Sequence, residues 1–155
     1  MIVVDANTII YLVRDTSFTP LAREVYAADP HWVAPPLWKP EVLNGLLREV
    51  KAGHIALEAA IEAANMASRV LLDRIQDCAP ALILQTAEEA GLTAYDAYYV
   101  ALARSLGIVL VTEDRRIKKN CPDVARSMKA FLGLPEKSSG VREKRAAYQT
   151  RRKKK

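Results

Sequence analysis

Four acidic residues stand out by where they fall. Asp5 ends the run Ile-Val-Val-Asp, and Glu41 follows Pro40 where an apolar-periodic stretch begins. Asp96 lies three residues after Thr93, and Asp114 follows the apolar run Ile-Val-Leu-Val-Thr by two residues. Carboxylates gathered in a partly dry cleft repel one another, and a divalent cation is the simplest device that keeps them all ionised. An all-oxygen donor set selects Mg²⁺ or Mn²⁺ over Zn²⁺. No His or Cys cluster accompanies the acids, the two histidines being His31 and His54. Each acid also has a local structural use. Asp5 and Asp114 suit helix caps, Thr93-x-x-Asp96 has the spacing of a capping box, and Glu41 would favour the positive end of a helix.

The surrounding sequence decides whether the four can meet. Residues 2–4 read as a short buried strand and 7–13 as a helix. Residues 20–28 suit a second helix, with Thr19 as its cap and Pro20 at its first position. Residues 31–34 form a candidate second strand, ended by Pro35 and Pro36. A helix opens at Pro40, with Leu43, Leu46, Leu47 and Val50 at helical spacing, and ends at Gly53. Residues 55–77 are the longest helical candidate, rich in alanine, with a break near residues 66–68 left open. Residues 81–84 read as a third strand, followed by a short helix from Thr86 to Gly91. A helix from Thr93 through Leu106 stops at Gly107, and residues 108–112 form a strand apolar on both faces. One further strand or helix is expected near residues 128–132.

Alternating strands and helices predict an α/β domain with a parallel sheet. In such a sheet the carboxyl ends of strands and the amino ends of the following helices share one edge, where ligand sites form. All four acids fall at such positions. Glu113, next to Asp114, is the alternative for the last of them. Alternation sends the two side chains to opposite sides.

Composition bounds the rest. The chain of 155 residues is 50% hydrophobic and 26% charged, ordinary for one globular domain. No apolar run reaches the roughly 20 residues that a membrane span needs. Met1 leads straight into the first strand, so no signal peptide is expected. Cys78 and Cys121 have no metal-ligand or redox spacing, as expected of a reduced cytoplasmic protein. The net charge of +5 is unevenly placed. Residues 137–155 carry nine Lys/Arg and one acid, leaving 14 bases and 17 acids in residues 1–136. A folded domain over 1–136 and a basic, disordered tail over 137–155 are therefore expected, with Ser138, Ser139 and Gly140 as the hinge. Such a tail either binds phosphate backbones without sequence preference or is simply solvated.

Three stretches, VVDANTII, PEVLNGLL and TAYDAYYVALARSLGIVLVTEDRRI, together resemble the PIN-domain nucleases, and among them the VapC-type toxins of toxin–antitoxin pairs. The resemblance runs from residue 1 to about 132, and residues 93–117 are its most specific part. It implies a three-layer α/β/α sandwich with a short, mainly parallel sheet. It also implies a Mg²⁺- or Mn²⁺-dependent ribonuclease that hydrolyses phosphodiester bonds through metal-activated water. The family's acidic residues map to Asp5, Glu41, Asp96 and Asp114, as metal ligands and catalytic groups. Thr112 matches a hydroxyl beside the last acid, and Asn7 and Asn44 match polar positions lining the cleft. Arg115 and Arg116 are candidates to grip flanking phosphates, or else belong to a solvated face.

Implied partners are RNA, a neutralising antitoxin and a second copy of the chain, with no membrane. An antitoxin peptide would anchor near Trp32, Leu37 and Trp38. The alanines of residues 55–77 either admit a partner helix or cover the chain's own sheet. Two other readings stand beside this one. One is a PIN-like module that binds RNA without cutting it. The other is a haloacid-dehalogenase-type phosphatase, suggested by Asp-Ala-Asn-Thr at residues 5–8, although Asn7 stands where that chemistry needs an acid.

Overall fold

The computed structural model describes residues 1–135. Four short strands, β1 (Ile2–Val4), β2 (Trp32–Val33), β3 (Leu110–Val111) and β4 (Ala125–Arg126), pair in parallel in the order β2-β1-β3-β4. Eight helices accompany them among the described residues: α1 (Ala6–Val13), α2 (Thr19–Ala28), α3 (Trp38–Lys51), α4 (Leu57–Val70), α5 (Pro80–Ala90), α6 (Ala94–Leu106), α7 (Arg115–Asn120) and α8 (Met128–Phe131).

Side chains alternate across a strand, and this divides the interior into two cores. Ile2 and Val4 of β1 and Val111 of β3 face one core, built with Ile9, Val25, Val42, Leu46 and Ala63 from α1 to α4. Val3 and Leu110 face the other, built with Val100 and Leu102 of α6 and Ile117 of α7. Both faces of the strands are covered, so the runs Ile2–Val4 and Leu110–Val111 are apolar throughout and fully buried. The result is the expected three-layer α/β/α sandwich.

The strand order positions the site. The chain leaves β1, forms β2 on one side, and returns to form β3 on the other side of β1. Connections from β1 and β3 therefore diverge, and a crevice opens at their carboxyl ends, as at other topological switch points. The register Val3↔Leu110 and Val4↔Val111 places Asp5 beside Thr112 one step further on.

Three local expectations need correction. Residues 81–84 are not a strand but lie in α5, where Pro80 sits in the first turn and Ile83, Ala87 and Ala90 pack on the second core at helical spacing. The long helix ends at Val70, not near residue 77. Leu71 is buried, Asp73 takes φ 59°, and Ile75 then bridges Ala34 in parallel at the edge of β2. An Asp adopts that left-handed conformation more readily than most residues. Thr19 is not a side-chain cap of α2; its hydroxyl donates to the carbonyl of Arg14 and accepts from the amide of Thr16.

Trp32 and Trp38 are core residues, 0% and 3% exposed, and so form no apolar rim for a peptide. Ala60, Ala63 and Ala67 of α4 are likewise buried against the chain's own core. No helix among the described residues is long and apolar enough to cross a membrane. The basic segment 137–155 and its hinge lie outside the described residues.

Candidate active site

Each acid is held by the turn that its own sequence dictates. Asp5 leaves β1 and caps α1 in an extended conformation, its Oδ1 accepting from the Thr8 amide at 2.7 Å. Its Oδ2 accepts from the Thr112 hydroxyl, and the residue is only 6% exposed. The Thr112 hydroxyl in turn accepts from the Asp114 amide at 2.9 Å. Asp114 caps α7, its Oδ1 accepting from the Ile117 amide at 2.8 Å.

Thr93 caps the start of α6, and its hydroxyl also ties down the Asp96 side chain. The Thr93 hydroxyl donates to Asp96 Oδ2 at 2.8 Å and accepts from the Asp96 amide at 3.1 Å. Glu41 lies in the first turn of α3, and its Oε2 accepts from the Tyr99 hydroxyl of α6 at 2.5 Å. The helix α6 stops where Gly107 takes φ 64°, which returns the chain to β3.

All four carboxylates line one pocket of about 330 Å³, together with Asn7, Asn44, Arg48 and Tyr99. Burial holds the Asp5 carboxyl above its ordinary range, against the hydrogen bonds from Thr112 and Thr8, and Asp114 adds to the rise. Burial likewise raises Glu41, against the Tyr99 hydrogen bond, with Asp5 and Asp96 as like charges. Tyr99, 3% exposed, is held strongly protonated by its burial and by donating to Glu41. The pocket thus concentrates negative charge that its own residues relieve only in part.

Such a donor set fits a hard divalent cation. Every carboxylate is presented by a rigid element end, and Asn7 and Asn44 add neutral oxygens. The four acids line the pocket without converging fully, and among the described residues no three His, Cys, Asp or Glu side chains are grouped as a ready-made metal centre.

The structure brings together Asp5, Asn7, Glu41, Asn44, Asp96 and Asp114 in this pocket, with Thr112 beneath it joining two of them. It does not bring Arg115 or Arg116 there. Arg115 lines a neighbouring cavity, and Arg116 donates to the carbonyl of Gly91. Glu113 turns away as alternation requires, taking an ion pair from Lys118 at 3.0 Å and a hydrogen bond from the Met128 amide at 2.9 Å. Arg48 is a pocket residue that the sequence reading did not single out. It shares a face of α3 with Glu41 and Asn44, a spacing of three and then four residues that could have revealed it. Tyr99, one of three tyrosines on its helix suited to base stacking or to the core, is both buried and part of the pocket. It lies one turn after Asp96 on the same face of α6.

Residues 2–121 match the PIN domain family. Over 80 residues the chain is 38% identical to "Exonuclease VapC9" of Pyrobaculum aerophilum, a match spanning 50% of this chain and 57% of that protein. The chain thus spans little more than half the length of that curated relative. The fold is similar to that of PAE2754 from Pyrobaculum aerophilum, known from a crystal structure, with a TM-score of 0.70 and 25% identity over 85% of this chain and 92% of the other. With the sandwich, the strand order and the acid-lined crevice, these findings place the sequence: the chain belongs to the PIN domain family.

Proposed function

We propose that the chain is a Mg²⁺- or Mn²⁺-dependent ribonuclease and the toxin of a toxin–antitoxin pair. The observation that carries this reading is the single pocket lined by Asp5, Glu41, Asp96 and Asp114, residues drawn from four separate element ends. Membership of the PIN family and the likeness to a protein named as an exonuclease support it.

In this reading Asp5, Asp96 and Asp114, with Glu41 beside them, hold the ion. A divalent ion bound there supplies positive charge to the phosphate and lowers the pKa of water. Thr112 aims Asp5 by donating to its Oδ2, a bond that favours the ionised form against the opposing effect of burial. Tyr99 fixes Glu41 through Oε2, which leaves Oε1 as the atom able to take a proton from the attacking water. The raised pKa of Glu41 moves it toward the range where a general base is effective. Asn7, Asn44 and Arg48 are the pocket's donors to phosphate oxygens. Arg48 supplies the positive charge that the other lining residues lack.

The negative crevice also suggests how a partner would silence the enzyme. An antitoxin segment carrying Arg or Lys would pair with these carboxylates and exclude RNA. The same reading includes pairing of two copies of the chain as a homodimer.

The test is incubation of purified chain with single-stranded RNA in Mg²⁺ or Mn²⁺, with and without excess EDTA. Cleavage that stops in EDTA supports the reading. RNA binding without cleavage under any divalent condition would favour a non-catalytic module instead.

A further inference from the structure

A second cavity of about 470 Å³ adjoins the segment that carries Asp114. Its lining includes Tyr11, Phe18, Glu113, Arg115, Lys118 and Lys129. It is chemically unlike the acid pocket, since three cations face one carboxylate. Lys118 is committed to Glu113 at 3.0 Å. The side chains of Arg115 and Lys129 form no ion pair or hydrogen bond with any described residue, so two positive charges remain available. The aromatic side of the cavity is built as well. The rings of Tyr11 and Phe18 stack with centroids 4.7 Å apart and planes 25° apart, and Phe18 is 39% exposed.

Three consecutive residues tie the two cavities together. Asp114 lines the acid pocket, whereas Glu113 and Arg115 on either side of it line the second cavity. Burial raises the pKa of Tyr11, and the carboxylates of Asp5 in one cavity and Glu113 in the other both add to the rise. A strand of nucleic acid whose phosphodiester lies at Asp5 and Asp114 would therefore carry its neighbouring nucleotide past residues 113–115.

We infer that this cavity is a nucleotide subsite for single-stranded RNA flanking the cleaved bond, with Arg115 and Lys129 holding a phosphate and the Tyr11–Phe18 stack receiving a base. The inference rests on the ribonuclease reading for the identity of the strand. Exposed aromatic faces beside free cations are the usual means of gripping single strands without reading sequence. The carboxylates of an acidic peptide would use the two cations but leave the ring pair without a stacking partner, whereas each nucleotide brings both a phosphate and a π face.

The test measures the affinity of a fluorescent single-stranded RNA for full-length protein carrying Asp96→Asn, and separately the steady-state cleavage kinetics of protein with Asp96 intact. On the first background, Arg115→Ala with Lys129→Ala should weaken binding about tenfold and lower the salt slope by roughly 0.7 for each phosphate no longer neutralised. Phe18→Ala should weaken binding about fivefold, and Phe18→Trp should restore it, because stacking needs only a π face. In cleavage, these variants should raise KM by more than they lower kcat. Arg69→Ala, an exposed cation of α4 outside both cavities, controls for net charge and should change affinity less than twofold.

Unchanged affinity in the Arg115, Lys129 and Phe18 variants, while the intact protein still cleaves RNA, would overturn the subsite and leave the ribonuclease reading standing. Loss of cleavage and of RNA binding in the intact protein would overturn both. Binding of a glutamate-rich peptide that depends on Arg115 and Lys129, with RNA affinity independent of them, would also overturn the subsite.

Discussion

The hydroxyl of Thr112 joins Asp5 to Asp114: it donates to Asp5 Oδ2 and accepts from the Asp114 backbone amide at 2.9 Å. One atom thus aligns the carboxyl ends of β1 and β3 and supports two of the four acids. Thr112→Val keeps the shape and removes both bonds. It is expected to weaken Mn²⁺ binding about 10–100-fold, as loss of an outer-sphere partner does, and to cost about 1–3 kcal/mol of stability for the unsatisfied buried groups. Thr112→Ser should retain most of both. Calorimetric Mn²⁺ titration and urea unfolding are the checks, and a Val variant matching the parent in both would leave Thr112 without a role in the site.

Glu41 yields a pH signature. Its folded-state pKa is raised by burial and by Asp5 and Asp96. The folded chain therefore binds this proton more tightly than the unfolded chain. The group's stabilising contribution is fully present below the ordinary value of 4.5 and is lost as pH rises through the raised value. Glu41→Gln carries the neutral form permanently and keeps an acceptor for Tyr99. In EDTA it should raise Tm at neutral pH, and the advantage should shrink as pH falls toward 4.5. Thermal unfolding across that range decides the matter; an advantage that grows on acidification would contradict the electrostatics described for the pocket.

Asp73 tests the place where α4 gives way to the β2 edge. Its φ of 59° lies in the left-handed region. Asp73→Val should destabilise the protein by about 1–2 kcal/mol, whereas Asp73→Gly should be neutral or stabilising. Equal effects of the two, read by urea unfolding, would mean that the backbone there is not held in that conformation.

Residues 137–155 carry nine bases and one acid. If they neutralise backbone phosphates, a chain ending at residue 136 should bind duplex-like RNA more weakly, its salt slope falling by roughly 0.9 for each phosphate released. Turnover at saturating RNA should persist. A truncated protein that folds and binds metal yet cuts nothing would show that the segment takes part in chemistry.

Much of the architecture was legible because its signals are local. Asp5 after an apolar run, Thr93-x-x-Asp96, and Gly107 before the β3 segment each act through the nearest few residues, and each lies as the sequence indicated. The misread segments were those where local signals tie. Four apolar residues at 81–84 suit strand or helix equally, and only the packing of Ile83, Ala87 and Ala90 on the second core separates the two. The end of α4 at Val70 depends on the pairing of Ile75 with Ala34, a contact between distant residues. The four acids could be gathered in advance because parallel topology alone sends them to one edge. The Tyr99–Glu41 bond joins residues 58 apart, and the second cavity joins Tyr11 to Lys129, so neither has a local signature.

If the four carboxylates act together on RNA through a divalent ion, removing any one of them should disable cleavage. This is read most directly by single-turnover cleavage of a defined single-stranded RNA by the parent and by Asp5→Asn, Glu41→Gln, Asp96→Asn and Asp114→Asn. Each variant is shown to be folded by circular dichroism and is assayed in parallel for Mn²⁺ binding. Losing a direct ligand should cost more than losing an outer-sphere partner, hence at least about a hundredfold in rate, with weakened Mn²⁺ binding in the same variants and no cleavage by the parent in EDTA. Parent-like cleavage by any two of the four variants, or undiminished cleavage in EDTA, would show that the carboxylates do not act in this way.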